Sequence, residues 1–295
     1  MTNAFRLNRR VVLAGLGAGL LAAGTTSNAF AADTTLDRVL NSGSVRIGIA
    51  NERPYGYVET DGSVSGAIPD IVRAALAPHG VTDIKAEVVE FNALIPGLNA
   101  DRFDIIAAGM YILPARCQAI AFTNPVTRAG NGIAALVGNP KGVHSVADVV
   151  AKSDIIIGTQ TGSSQVEILI NAGVPQNRTV LFASASEALA GLRAGRVDVI
   201  YFPGLELGAL LATANDPSIE RVTPFEQILK DDGTPQYGYA GFGVRQSDDT
   251  LREFLDKEIA RLLESNEMLG IISKYGYGPD ELPSADIIAN DLCAA

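Results

Sequence analysis

Gly109-Met110-Tyr111-Ile112-Leu113-Pro114-Ala115-Arg116, closed by Ala121-Phe122-Thr123-Asn124-Pro125, is the stretch on which the reading of this chain turns. It places a tyrosine and an arginine five residues apart, where an apolar run at 103–108 gives way to a helical segment. A guanidinium holds a carboxylate through two parallel hydrogen bonds, and a ring beside it covers a flat or cationic group. The residue types in this order point to recognition of a small carboxylate.

The segments around this stretch alternate in period. Strands are predicted at 45–50, 86–91, 103–108, 132–137, 154–158, 197–202 and 238–245. Between them lie a helix at 68–76, with Ile68, Ile71, Val72 and Ala75 on one face, and a short helix with Leu94, Ile95 and Leu98. A further helix runs from a cap at Ser163 or Ser164 to Asn171, and Ser184 and Glu187 are spaced as a capping box. The clearest helix spans 248–264, where Leu251, Phe254, Leu255, Ile259, Leu262 and Leu263 form one apolar stripe. Such alternation predicts an α/β architecture.

The N-terminus reads as an export signal. Arg6, Arg9 and Arg10 precede an apolar run at 11–23, and Ala29-Phe30-Ala31 offers a cleavage site after Ala31. The run is short of the roughly 20 residues a spanning helix needs. Arg9-Arg10 also resembles a twin-arginine signal. The chain of 295 residues is long enough for two lobes with real cores, and its net charge of −10 argues against nucleic acid or an anionic membrane surface as partner. Cys117 and Cys293 are too few for a disulfide framework, and their separation leaves pairing open. His79 and His144 sit beside turn residues and form no triad or ligand pair, so no catalytic or metal site is expected.

Taken in order, 45–57 (with Asn51-Glu52-Arg53-Pro54-Tyr55-Gly56-Tyr57), Phe91-Asn92-Ala93-Leu94-Ile95-Pro96-Gly97-Leu98, Arg102-Phe103-Asp104, the opening stretch and Lys274-Tyr275-Gly276 resemble the family 3 solute-binding proteins of polar amino-acid ABC transporters, over about 36–279. The resemblance implies a two-lobed periplasmic binding protein fold with a ligand cleft and two hinge strands, near 125–131 and 237–243. It implies a cleaved signal at 1–31, a first lobe from 32–126 and 240–295, and a second lobe from 127–239. It further implies a monomer in the periplasm, soluble after signal cleavage, that needs no cofactor and hands a small zwitterionic solute to membrane permease subunits by hinge closure.

By motif position Arg116 is the carboxylate clamp, and the turn holding Gly162, Ser163 and Ser164 offers backbone N–H groups to the same carboxylate. Two positions depart from the amino-acid binders. Tyr111 stands where they carry a small hydroxyl residue, and Pro203 where many carry the carboxylate that pairs with the ligand's ammonium. No acidic residue follows Pro203 until Glu206, so Glu52 is expected to be the only anion near the ligand, and a free α-amino acid is disfavoured. Tyr55, Phe91 and Tyr111, on three loops at one end of a parallel sheet, predict an aromatic cup with Glu52 and Arg116. This set resembles that of ectoine-binding receptors and implies ectoine or hydroxyectoine as ligand, with a betaine or polar amino acid as the alternative. The fold also resembles exported cyclohexadienyl dehydratases, in which Glu52 would serve as the acid.

Overall fold

The computed structural model describes residues 34–230 and 233–294; the expected signal peptide lies outside them. Among the described residues no helix is long and apolar enough to cross a membrane. Two five-stranded sheets carry the fold.

In the first sheet, Ser44–Ile49 lies between Asp83–Val88 and Ile105–Ile106, parallel to both, and Gly243–Val244 joins Ile105–Ile106 to Ala121–Phe122 in antiparallel pairing. Val45, Ile47 and Ile49 alternate onto one face and bury against Ile68, Ile71 and Val72 of the helix Ala67–Leu76. The stripe of the helix Asp249–Glu264 closes the same core with Leu251, Leu255, Ile259 and Leu262 fully buried and Phe254 and Leu263 partly so.

The second sheet runs Thr179–Phe182, Ile157–Gln160, Val199–Pro203, Asn131–Leu136, Ile219–Arg221. Its central strand feeds both faces: Val199 and Tyr201 enter one core, Ile200 and Phe202 the other. Between the sheets the chain crosses twice. Thr127–Ala129 and Gly238–Ala240 pair antiparallel, with Tyr239 opposite Arg128.

Strand ends differ from the sequence reading wherever the partner sets them. The strand expected at 86–91 lies at Asp83–Val88, because it registers Asp83 against Ser44. That frees Phe91 to open a 3₁₀ turn. The strand expected at 154–158 runs later, at Ile157–Gln160, and the run at 103–108 pairs only through Ile105–Ile106. The strand expected at 238–245 is two, Gly238–Ala240 on the crossing pair and Gly243–Val244 on the first sheet. The break falls at Gly241, where a Cβ would stand 2.8 Å from the Thr123 carbonyl.

Cys117 and Cys293 form a disulfide, joining the short helix Pro114–Cys117 to the helix Ala289–Ala294. Its sequence separation of 176 residues makes it a strong constraint on the unfolded chain. The Cys117→Ser/Cys293→Ser protein is expected to lose about 2–5 kcal/mol of unfolding free energy. An unchanged denaturation midpoint would show that the bond contributes little to stability.

Candidate functional site

The cleft is assembled from loops that leave the two sheets. In the first loop Glu52 and Gly56 exchange both backbone hydrogen bonds, each 3.0 Å, which pinches 52–56 into a tight turn. Arg53 is engaged within its own segment: its guanidinium lies 3.6 Å from the Tyr57 ring centroid and donates to Glu59 at 2.7 Å, and it forms no ion pair with Glu52. Glu52 is therefore left without a cationic neighbour in its own loop. Tyr55 lies flat over Gly109, where φ is +67° and a Cβ would come within 2.5 Å of the ring. Only glycine meets both demands.

Tyr111 bridges to Ala240, and its ring covers Gly238 so closely that a Cβ there would overlap it. The tyrosine of the opening stretch thus leans on a crossing strand. Arg116 is only 9% exposed. It donates to the Tyr111 carbonyl at 2.7 Å and to the Gly162 carbonyl, beyond the second sheet, at 2.8 Å. Phe91 stands 5.5 Å from the guanidinium carbon, a cation–π arrangement. Among the described residues no carboxylate forms an ion pair with Arg116, and burial brings it down to about 10. Glu167 acts on it only at a distance, so the buried cation lacks a direct partner.

The second sheet supplies the turn after Ile157–Gln160. Gly162 has φ +77°, and a Cβ there would sit 3.0 Å from Asn92 Cβ, so the turn fits against the Phe91 loop only as glycine. The helix Ser164–Asn171 has Ser163 as its N-cap, but the Ser163 hydroxyl turns back to donate to the Gln160 carbonyl at 2.8 Å and does not cap the helix. Gln160 donates through its amide to Glu52 and, at 3.2 Å, to the Ala183 carbonyl. At the other cap, Ser184 accepts from Glu187 N–H, while Glu187 reaches the Ala183 N–H, one residue before the expected partner.

Of the eight residues singled out from sequence, Glu52, Tyr55, Phe91, Tyr111, Arg116, Ser163 and Ser164 line one narrow cleft of about 20 Å³; Gly162 contributes its carbonyl to Arg116. The expectation that Glu52 is the only anion there is overturned. Glu206 lines the same cleft and is 4% exposed. Pro203 ends its strand and caps the helix Gly204–Ala214, whose first turn carries Glu206 inward, three residues beyond the position inspected in the sequence. Helix phase was the available signal; an acid in the first turn also suits the helix dipole. Gln160, which opens the turn before Gly162, and Gln165 also line it, beyond the eight residues expected.

Burial pushes Glu52 up to about 7, against the pull of the Gln160 hydrogen bond and with the Glu90 charge adding to the rise. Burial, then the charge of Glu52, lifts Glu206 well above the usual carboxylate range. The two carboxyls titrate as a pair, reluctant to ionise together without a cation.

This geometry has close parallels. Residues 45–278 match the family model of bacterial extracellular solute-binding proteins, family 3. A probable amino-acid ABC transporter periplasmic-binding protein of Sinorhizobium fredii is 32% identical over 263 residues, 88% of this chain and 86% of the relative. The crystal structure of EhuB in complex with hydroxyectoine superposes with a TM-score of 0.78 at 36% identity, covering 88% of this chain and 98% of that one. An ancestral arginine-binding protein bound to arginine gives a TM-score of 0.67 at 25% identity, over 79% of this chain and 98% of its own.

Proposed function

Since the chain belongs to the family 3 bacterial extracellular solute-binding proteins, we propose that it is the periplasmic receptor that delivers ectoine or hydroxyectoine to an ABC importer. One observation carries the reading. A single cleft holds the buried Arg116 guanidinium, the buried Glu206 carboxyl and the half-buried Glu52 carboxyl, and among the described residues none of the three is in an ion pair. A compact zwitterion pairs all three at once, its carboxylate on Arg116 and its cation between Glu52 and Glu206. A ring carrying a delocalised cation also suits the faces of Tyr55, Phe91 and Tyr111. The EhuB complex supports the choice of ligand.

Glu206 gives a second reading its footing. A free α-amino acid no longer lacks a counter-charge for its ammonium, so a polar amino acid is the alternative ligand. The dehydratase reading has its condition met in a raised Glu52, but nothing else favours it, and two of the relatives above are named as binding proteins.

In this reading the lobes are 32–126 with 240–295, and 127–239, and the protein works as a monomer that closes on its ligand. The bonds from Gln160 to Glu52 and from Arg116 to the Gly162 carbonyl tie the two sheets together and belong to the closed form. Small-angle scattering is expected to show compaction when hydroxyectoine is added to the unliganded protein. Tyr111→Ser removes one wall of the cup and should require about 100-fold more ligand for the same change, a loss of roughly 3 kcal/mol. No compaction at saturation, or wild-type affinity in the variant, would count against the proposal.

A further inference from the structure

Four buried polar atoms near the cleft are unpaired or pair only within their own group: the Tyr277 hydroxyl and Oε1 of Glu206 have no hydrogen-bond partner, and the hydroxyls of Tyr55 and Tyr111 have none outside each other. They come from four separate segments. Tyr55 lies in the first loop, Tyr111 beside the crossing strand, Tyr277 after the turn Ser273–Tyr275, and Glu206 in the first turn of its helix. Tyr55, Tyr111 and Glu206 line the same cleft. Tyr277 is 3% exposed and lies within electrostatic reach of Tyr111 and Glu206, as Tyr55 does of all three.

Other tyrosines of the chain show what is unusual. Tyr275 donates to Asp70 at 2.6 Å and Tyr57 accepts from Ser65 at 3.2 Å. A buried hydroxyl left unpaired is destabilising, and phenylalanine would fill the same space without that penalty. Three buried hydroxyls within electrostatic reach of one carboxyl, with hydrogen-bonding capacity left over, make a cluster that packing alone does not explain.

We propose that these four atoms form a polar subsite for a hydroxyl group carried by the ligand, so that the receptor prefers a hydroxylated solute to its deoxy analogue. A ligand hydroxyl both donates and accepts; it can give its proton to Glu206 and take one from a phenol. A methylene in its place leaves those groups unpaired, the arrangement by which a site rejects an analogue most strongly. This rests on the reading above and narrows it to hydroxyectoine over ectoine. Tyr277, absent from every sequence motif considered, becomes a specificity determinant.

The test is calorimetric titration of wild type and of Tyr55→Phe, Tyr111→Phe and Tyr277→Phe with ectoine and hydroxyectoine. Wild type is expected to favour hydroxyectoine by about tenfold or more. Each phenylalanine variant should bring the ratio toward one, and the unliganded Tm of Tyr277→Phe should rise because an unpaired polar atom has gone. Tyr275→Phe, whose hydroxyl is engaged elsewhere, should keep the ratio. Equal affinity for the two solutes in wild type, or a ratio unchanged in all three variants, overturns the subsite. Binding of neither solute overturns the ectoine reading instead. The pairs 4-hydroxyproline and proline, and threonine and 2-aminobutyrate, then decide the subsite: a hydroxyl preference that the variants lose sustains it, and no preference ends it.

Discussion

Arg116→Met is expected to weaken hydroxyectoine binding by several hundred- to several thousand-fold, equivalent to about 3–5 kcal/mol. The size follows from burial. Arg116 is 9% exposed and has no carboxylate partner among the described residues, so the ligand's carboxylate meets a cation already stripped of water. Charge-assisted bonds in such a setting are stronger than neutral ones, and a ligand carboxylate left facing methionine is buried unpaired. The unliganded variant should change little in Tm. It loses the bonds to the Tyr111 and Gly162 carbonyls but also sheds a buried charge that has no directly paired carboxylate. Loss of affinity with retained Tm separates a binding role from a structural one; wild-type affinity would remove Arg116 from the site.

The second large effect is on pH. Glu52 has an ordinary value of 4.5 and is raised to about 7 in the closed conformation without ligand. Between those values the folded protein keeps a proton that the unfolded chain has released. The contribution of this group to stability is therefore full below about 4.5 and is lost as pH rises through about 7. Glu206 is displaced in the same direction. A cationic ligand reverses the preference, since it favours the ionised carboxyls. Binding then releases a proton wherever the free protein still holds one. Affinity should climb by about tenfold per pH unit for each proton released, from about pH 5 to about pH 7, and flatten above. Unliganded stability should fall over the same range. Glu206→Gln keeps the shape and removes the charge, and is expected to lower affinity at pH 8 by about 10–100-fold, or 1.5–3 kcal/mol. Titrations in buffers of different ionisation enthalpy would detect the released proton. A pH-independent affinity would mean that the cation does not sit with this pair.

What was readable before the fold was known divides along physical lines. The stripe of Asp249–Glu264 and the end of Ser164–Asn171 are local patterns, and periodicity places them without knowledge of partners. Strand limits are not local. Asp83–Val88 begins where Ser44 needs a partner, and Gly238–Ala240 separates from Gly243–Val244 because each pairs with a different strand. The candidate site shows the same split. Tyr55, Tyr111 and Arg116 were legible because their spacing in the chain is itself the motif, and the structure brings them into one cleft. Glu206 stands three residues beyond Pro203, in the first turn of Gly204–Ala214, and it is the helix that turns it into the cleft, a placement that position-by-position comparison at Pro203 does not carry. Gln160 reaches Glu52 across the cleft, and Tyr277 joins from the far end of the chain. Neither carries a sequence signal, since their meaning depends on tertiary contact.

The most direct test of the central claim is calorimetric titration of the protein lacking residues 1–31 with ectoine and hydroxyectoine, against glutamine, histidine and proline betaine. Proline betaine carries the charge but no N–H to give to Glu52 or Glu206, and therefore separates charge from hydrogen bonding. The account predicts binding at ~10 µM or tighter for hydroxyectoine, about −7 kcal/mol, with the comparators weaker by at least about 100-fold. Tight binding of glutamine or histidine with none of ectoine or hydroxyectoine would contradict it, and would assign Glu206 to the ammonium of an ordinary amino acid.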